Sequence, residues 1–176
     1  FDTLQIDSQG RIVNTGILNA EKAMNLTATQ DINNQGKIEN KQGNIQLRSK
    51  AKIENRGSIV ARGGNIDKKA DSHIQQSGET LAKGNVNYTA PTIHATESSL
   101  IAAGVNVTDD AQGETRQLET KSAKGKSIQL TSSRKTTAQG KNIASGGITI
   151  SASEVNVSQS HTSAHGIEIK TTKDQI

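Results

Sequence analysis

Several short stretches carry residue types that perform chemistry in other settings. Gly125-Lys126-Ser127 has the ending of a phosphate-binding loop, in which backbone N–H groups cradle phosphate and the lysine reaches it. That motif needs glycine at position 120, where Thr120 stands, and an apolar strand before it, where charged residues stand. Ser132-Ser133-Arg134-Lys135 fits the Ser-x-x-Lys spacing of acylating serine enzymes, but the pair meets only on a helix. On a strand, positions 132 and 135 face opposite sides. His161 and His165 have the i, i+4 spacing that holds a metal on a helix, yet the stretch has strand or loop character. His73 and His94 stand alone. Gly63-Gly64-Asn65-Ile66-Asp67 is half of a calcium nonapeptide without the second glycine pair or the tandem copies that share the ion. Asp109, Asp110 and Glu114 offer at most weak calcium binding in a loop, and the plainer reading is a solvated acidic stretch. Four Asn-x-Ser/Thr acceptor sequences, at Asn25, Asn87, Asn106 and Asn156, fall in or beside alternating segments where outward Asn and Thr are expected anyway. No catalytic residue, cofactor or metal is expected.

The basic residues offer a second kind of chemistry. Lys and Arg number 21 against 17 Asp and Glu, a net charge of +4. Arg48, Lys50 and Lys52 alternate, so on one strand they share an outward face. Lys68, Lys69, Lys121, Lys124 and Lys126 extend that face if the strands stack in register. Such a stripe suits an anionic glycan; the plainer reading is solubility and protection of strand edges. Phe1 and Tyr88 are the sole aromatics, which argues against base-stacking nucleic-acid modules and against sugar-stacking enzyme clefts. There is no cysteine, hence no disulfide framework or thiolate site. No apolar run is long enough for a membrane-spanning helix.

What must position these residues is a repeat. Ile12-Val13-Asn14-Thr15-Gly16 recurs as Ile32-Asn33-Asn34-Gln35-Gly36, Ile53-Glu54-Asn55-Arg56-Gly57 and Ile74-Gln75-Gln76-Ser77-Gly78. A second element stays in phase with it: Met24-Asn25-Leu26, Ile45-Gln46-Leu47, Ile66, Val86-Asn87-Tyr88 and Val105-Asn106-Val107. The period is 20 to 21 residues. Within it, apolar and polar residues alternate over three to five positions, the pattern of short strands. Glycines at 16, 36, 43, 57, 63, 64, 78 and 84 are expected to supply positive φ at corners. Three strands and three corners per period make one coil of a parallel β-helix.

The composition then has a reason. The 35 large apolar residues (19 Ile, 8 Leu, 7 Val, 1 Phe) are few enough to border on disorder. Stacked from coil to coil they become columns in a core too narrow for many aromatics. Asn14, Asn34, Asn55 and Gln76 are expected to form an amide ladder at one corner. Repeats weaken after residue 108, so the expected organisation is regular coils over 1–108, a charged excursion over 109–127, and further coils over 128–176. That gives a rod of roughly eight turns, on the order of 40 Å long.

The units NNQGKIENKQGNIQLRSKAKIENRGSIVARGGNI and the later run from ESSLIAAGVNV to HTSAHGIEI resemble filamentous haemagglutinin repeats. Such repeats build the shafts of two-partner-secreted exoproteins of Gram-negative bacteria, among them haemagglutinin adhesins and CdiA-type contact-dependent growth inhibition proteins. The resemblance implies a right-handed parallel β-helix, an address at the cell surface or in the medium, and export through an outer-membrane transporter. The domain that engages that transporter would lie outside this segment, as would any toxin module. Beginning at Phe1 without a leader, the chain reads as part of something longer. Two functions follow: a structural, non-catalytic shaft, or a module that contacts a target-cell receptor or anionic glycan through 109–127 or the basic stripe.

Overall fold

The computed structural model describes residues 2–109, 116–120 and 125–171. Each short alternating run forms a strand. In Ile45–Ser49 the burial pattern is buried, half-buried, buried, exposed, buried, as alternate side chains on a pleated strand require. The strands are three to six residues long and end at short turns rich in polar residues and glycine.

Among the described residues, three parallel sheets of eight, seven and seven strands result. The first runs from Thr3–Ser8 through Ile45–Ser49 and Ile66–Ala70 to Gly166–Thr171. The second runs from Ile12–Asn14 through Lys52–Asn55 and His73–Gln76 to Glu154–Asn156. The third runs from Ile17–Ala20 through Ser58–Ala61 and Glu79–Ala82 to His161–Ser163. The chain visits the three sheets in turn, which makes a parallel β-helix of about seven coils. With neighbouring strands about 4.8 Å apart, the rod is on the order of 34 Å long.

Register places like beside like. Met24, Ile45, Ile66, Val86, Ile128 and Ile148 form one inward column, each at most 1% exposed. Ile12, Ile32, Ile53, Ile74 and Ile93 form another. Each such side chain contributes about 1.5–3 kcal/mol by leaving water. Tyr88 is also fully buried, stacked between Lys68 and Leu130, so this core does admit one aromatic ring.

Val105-Asn106-Val107 is not the coil strand its alternation suggests. After Leu100–Ala103, Gly104 takes a φ of +70° and the chain leaves the coil. Val105–Asp109 then pairs antiparallel with Arg116–Thr120 as a hairpin. Its place in the coil passes to Ile128–Thr131, which pairs with Val86–Thr89. Alternation is identical in both settings, so it cannot distinguish them. The hairpin's seat is legible in a different signal. Val60, Leu81 and Ala102 occupy outward positions of the third sheet, yet they are fully buried together with Val105. Strands apolar on both faces are strands covered on both faces.

The glycines serve a different purpose from the one expected. Gly104 is the only described glycine with positive φ. At Gly36, Gly57 and Gly78, a Cβ would sit 2.1 Å from the carbonyl oxygen of the glycine one coil earlier. These residues are glycine because the backbone of the preceding coil occupies the space. Gly16 has nothing within 4 Å of that position. Replacing Gly57 with Ala is therefore expected to cost about 1–3 kcal/mol, the usual range for overpacking. Gly16→Ala should stay within about 0.5 kcal/mol of the parent. Urea denaturation followed by circular dichroism separates the two, and equal midpoints would contradict the packing argument.

Candidate functional site

The corner after the second sheet carries the amide ladder. Asn14 Nδ2 donates to Asn34 Oδ1 at 2.8 Å, Asn34 Nδ2 to Asn55 Oδ1 at 2.9 Å, and Asn55 Nδ2 to Gln76 Oε1 at 3.3 Å. All four side chains are buried. Each Asn amide also donates to backbone carbonyls, those of Gly16 and Lys37 for Asn14 and those of Gly36 and Ser58 for Asn34. The ladder ends at Gln76, because the next residue in register is Ala95. A second ladder escaped the sequence reading. The backbone N–H of Asn65 donates to Asn44 Oδ1, that of Asn85 to Asn65 Oδ1, and that of Ser127 to Asn85 Oδ1, at 2.8, 2.8 and 2.9 Å. Its signal was present as Gly43-Asn44-Ile45, Gly64-Asn65-Ile66 and Gly84-Asn85-Val86.

At the end of the first ladder lies a polar node inside the core. Lys68, assigned by the sequence reading to the outer basic face, points inward and is 1% exposed. Its strand neighbours in register are Leu47 and Tyr88, so the lysine interrupts an otherwise apolar column. Its Nζ is within hydrogen-bond distance of Gln76 Oε1 at 2.8 Å, Tyr88 Oη at 3.0 Å and Thr80 Oγ1 at 3.1 Å, and lies 4.5 Å from the Tyr88 ring centre. Tyr88 Oη donates to Thr80 Oγ1 at 2.7 Å. Burial pushes the Lys68 amine well below the ordinary lysine range and holds the Tyr88 phenol above its own, since both ionised forms lose hydration there. Lys68, Gln76 and Thr80 belong to one coil. In the coil before it, the same positions hold Leu47, Asn55 and Ile59.

The outer basic face is divided by a corner. Arg48 closes the first-sheet strand with Ser49, Lys50 lies on the turn, and Lys52 opens the second-sheet strand, 3.7 Å from Glu54. Arg48 stacks beside Lys69. With Lys50, Thr27 and Asp71 they line a shallow depression of about 250 Å³. Lys126 is exposed, and its backbone N–H donates to Ser145 Oγ; Lys121 and Lys124 lie outside the described residues. A further ion pair anchors the hairpin. Glu39 bonds Lys37 at 2.6 Å and also Arg62, whose guanidinium donates to Val107 O at 2.9 Å. Burial alone would push the Glu39 carboxyl up, but the two cations hold it below its usual value.

The remaining chemical candidates do not assemble. Ser132 is buried and bonds Thr136 at 2.9 Å, whereas Lys135 pairs with Glu154 at 3.4 Å. His161 and His165 are exposed. Among the described residues, no three His, Asp or Glu side chains group closely enough to hold a metal. The buried ladder makes a direct stability test possible. Asn34→Ala leaves Asn55 Oδ1 without its amide donor inside the core, at an expected cost of about 1–3 kcal/mol. Thermal unfolding checks this, and an unchanged melting temperature would show that the ladder is dispensable.

Comparison with known proteins agrees with this geometry. The haemagglutinin repeat family model matches residues 2–71, 60–133 and 121–173. No curated protein and no solved structure matches the chain. With three overlapping repeat matches laid along a continuous parallel β-helix, the chain belongs to the haemagglutinin repeat family.

Proposed function

We propose that the chain is a non-catalytic shaft segment of a secreted, cell-surface filamentous haemagglutinin-like exoprotein. Its host protein would act in adhesion or contact-dependent growth inhibition and leave a Gram-negative cell through an outer-membrane two-partner-secretion transporter. The observation that carries this reading is the inward apolar column from Met24 to Ile148, which runs from coil to coil through six successive strands of the first sheet. Such a stack converts chain length into reach, because each coil is stabilised chiefly by its two neighbours. Among the described residues the catalytic and metal candidates lie on opposite sides of their strands or stand apart.

A second reading is favoured by one feature. Arg48, Lys50 and Lys69 hold no ion pair among the described residues, and they converge on the depression beside Asp71. This suits a sulfated or carboxylated glycan on another cell, with the hairpin as a further contact arm. Charge reversal distinguishes the two readings. Under the shaft reading, the combined variant Arg48→Glu, Lys50→Glu and Lys69→Glu keeps the rod shape in small-angle scattering and changes adherence of producing cells less than twofold. Loss of adherence by tenfold or more, with the rod intact, would replace the shaft reading with the glycan-binding one.

A further inference from the structure

The strand Glu79–Ala82 joins two features that lie on opposite sides of the rod wall. Its inward residue Thr80 is fully buried and is held by Lys68 Nζ and Tyr88 Oη. Its next residue, Leu81, is also fully buried, but on the outer face. There it packs with Val60, Ala102 and the hairpin residue Val105. Those four side chains, with partly buried Val107 beside them, form the hairpin's apolar seat, and Leu81 is its middle rung.

We propose that Lys68 is a proton-sensing residue: gain of a proton by its buried amine loosens the coil over 66–82 and releases the hairpin seated on that coil's outer face. The geometry supplies the reason. Every polar group that faces the amine is a neutral dipole or a ring. The neighbouring strands present Leu47, Asn55, Gln76, Thr80 and Tyr88 to the interior. Of these, only the Tyr88 phenol titrates, and burial keeps it protonated. Asp67 and Lys69, on the same strand as Lys68, alternate outward. So do Arg48, Lys52 and Glu54 on the strands before, and His73 and Glu79 on those after. Glu54 is engaged outside by Lys52 and Arg56. A charge on Lys68 would thus have no carboxylate to offset its lost hydration, and hydroxyls, an amide and a ring face replace that hydration only in part.

The sign follows from linkage. An unfolded chain holds the Lys68 proton up to about pH 10.4, whereas the folded chain releases it at lower pH because the amine is buried. Between those two values the unfolded state binds more protons, so stability rises with pH across the window. It falls on acidification, and the penalty is complete below the folded value. In a solenoid such a penalty stays with its own coil and nearest neighbours. The hairpin packs through Val105 on Leu81, in the strand Glu79–Ala82 of that coil, which makes it the structural readout.

Amide hydrogen exchange on the chain between pH 5 and 9, corrected for intrinsic rates, tests the proposal. The Glu39–Arg62 pair does not interfere, because its two cations hold Glu39 below the ordinary glutamate range and the carboxylate stays ionised across those pH values. In the parent protein, protection of 66–82 and of Val105–Asp109 should fall together on acidification, by up to tenfold per pH unit within the window. The strands Gly147–Ala152 and Gly166–Thr171 should not follow. Lys68→Met, which restores an apolar side chain to the column, should abolish the response in both regions. Carbon-13 titration of the Lys68 side chain in the parent protein needs no variant and should show it losing its proton well below the exposed lysines. Hairpin protection independent of pH, the same pH response in Lys68→Met, or Lys68 titrating with the exposed lysines would each overturn the proposal.

Discussion

Everything in this molecule depends on backbone hydrogen bonding between successive coils at a spacing of about 4.8 Å. That contact is short, and it repeats in register. A residue's environment is therefore set less by its neighbours in sequence than by the residues 20 or 21 positions away. The consequence is severe for side chains at corners. Where the coils approach most closely, as at Gly36, Gly57 and Gly78, not even a methyl group fits above the preceding backbone. Where there is room, asparagine amides bridge the same spacing and satisfy polar groups that would otherwise be buried without partners.

The same constraint explains how an unusual residue is tolerated. A lysine in the middle of an apolar column would be very costly on its own. Here one coil substitutes three inward positions together, with Lys68, Gln76 and Thr80, and the next coil supplies Tyr88. Gln76 is one methylene longer than the asparagines it follows, so its carbonyl oxygen extends to the lysine while still accepting from Asn55. The ladder and the node are therefore continuous, and the transition between them occurs at a single side chain. On the outside, the hairpin exploits the opposite device. Three outward residues become apolar in successive coils, and a segment leaving the coil at Gly104 folds down over them.

Much of this is legible in the sequence, and what is not has specific physical causes. The period, the strand character, the inward columns and the ladder positions follow from residue spacing, because a solenoid projects its three-dimensional neighbours onto a fixed sequence separation. Residue type assigns Lys68 to the outside, whereas its position in the repeat, matching Leu26 and Leu47, assigns it to the inside. The position was the better evidence. The glycines were expected to provide positive φ, because sequence conveys conformational freedom but not the proximity of a carbonyl one coil away. Lys52 was grouped with Arg48 because alternation does not reveal the corner between them.

By itself, then, the sequence determined the coil: a 20–21-residue period, three short strands, a narrow aliphatic core and a polar exterior. These are local preferences repeated often enough to leave one solution. Tertiary structure alone decided which strand follows Val86–Thr89 in the first sheet, since Val105-Asn106-Val107 and Ile128-Gln129-Leu130 alternate equally well. It also decided what surrounds Lys68. Both outcomes depend on side chains meeting across the core or across the wall of the rod. Such meetings leave no mark in the sequence pattern of any one strand, because alternation specifies a face and not a partner.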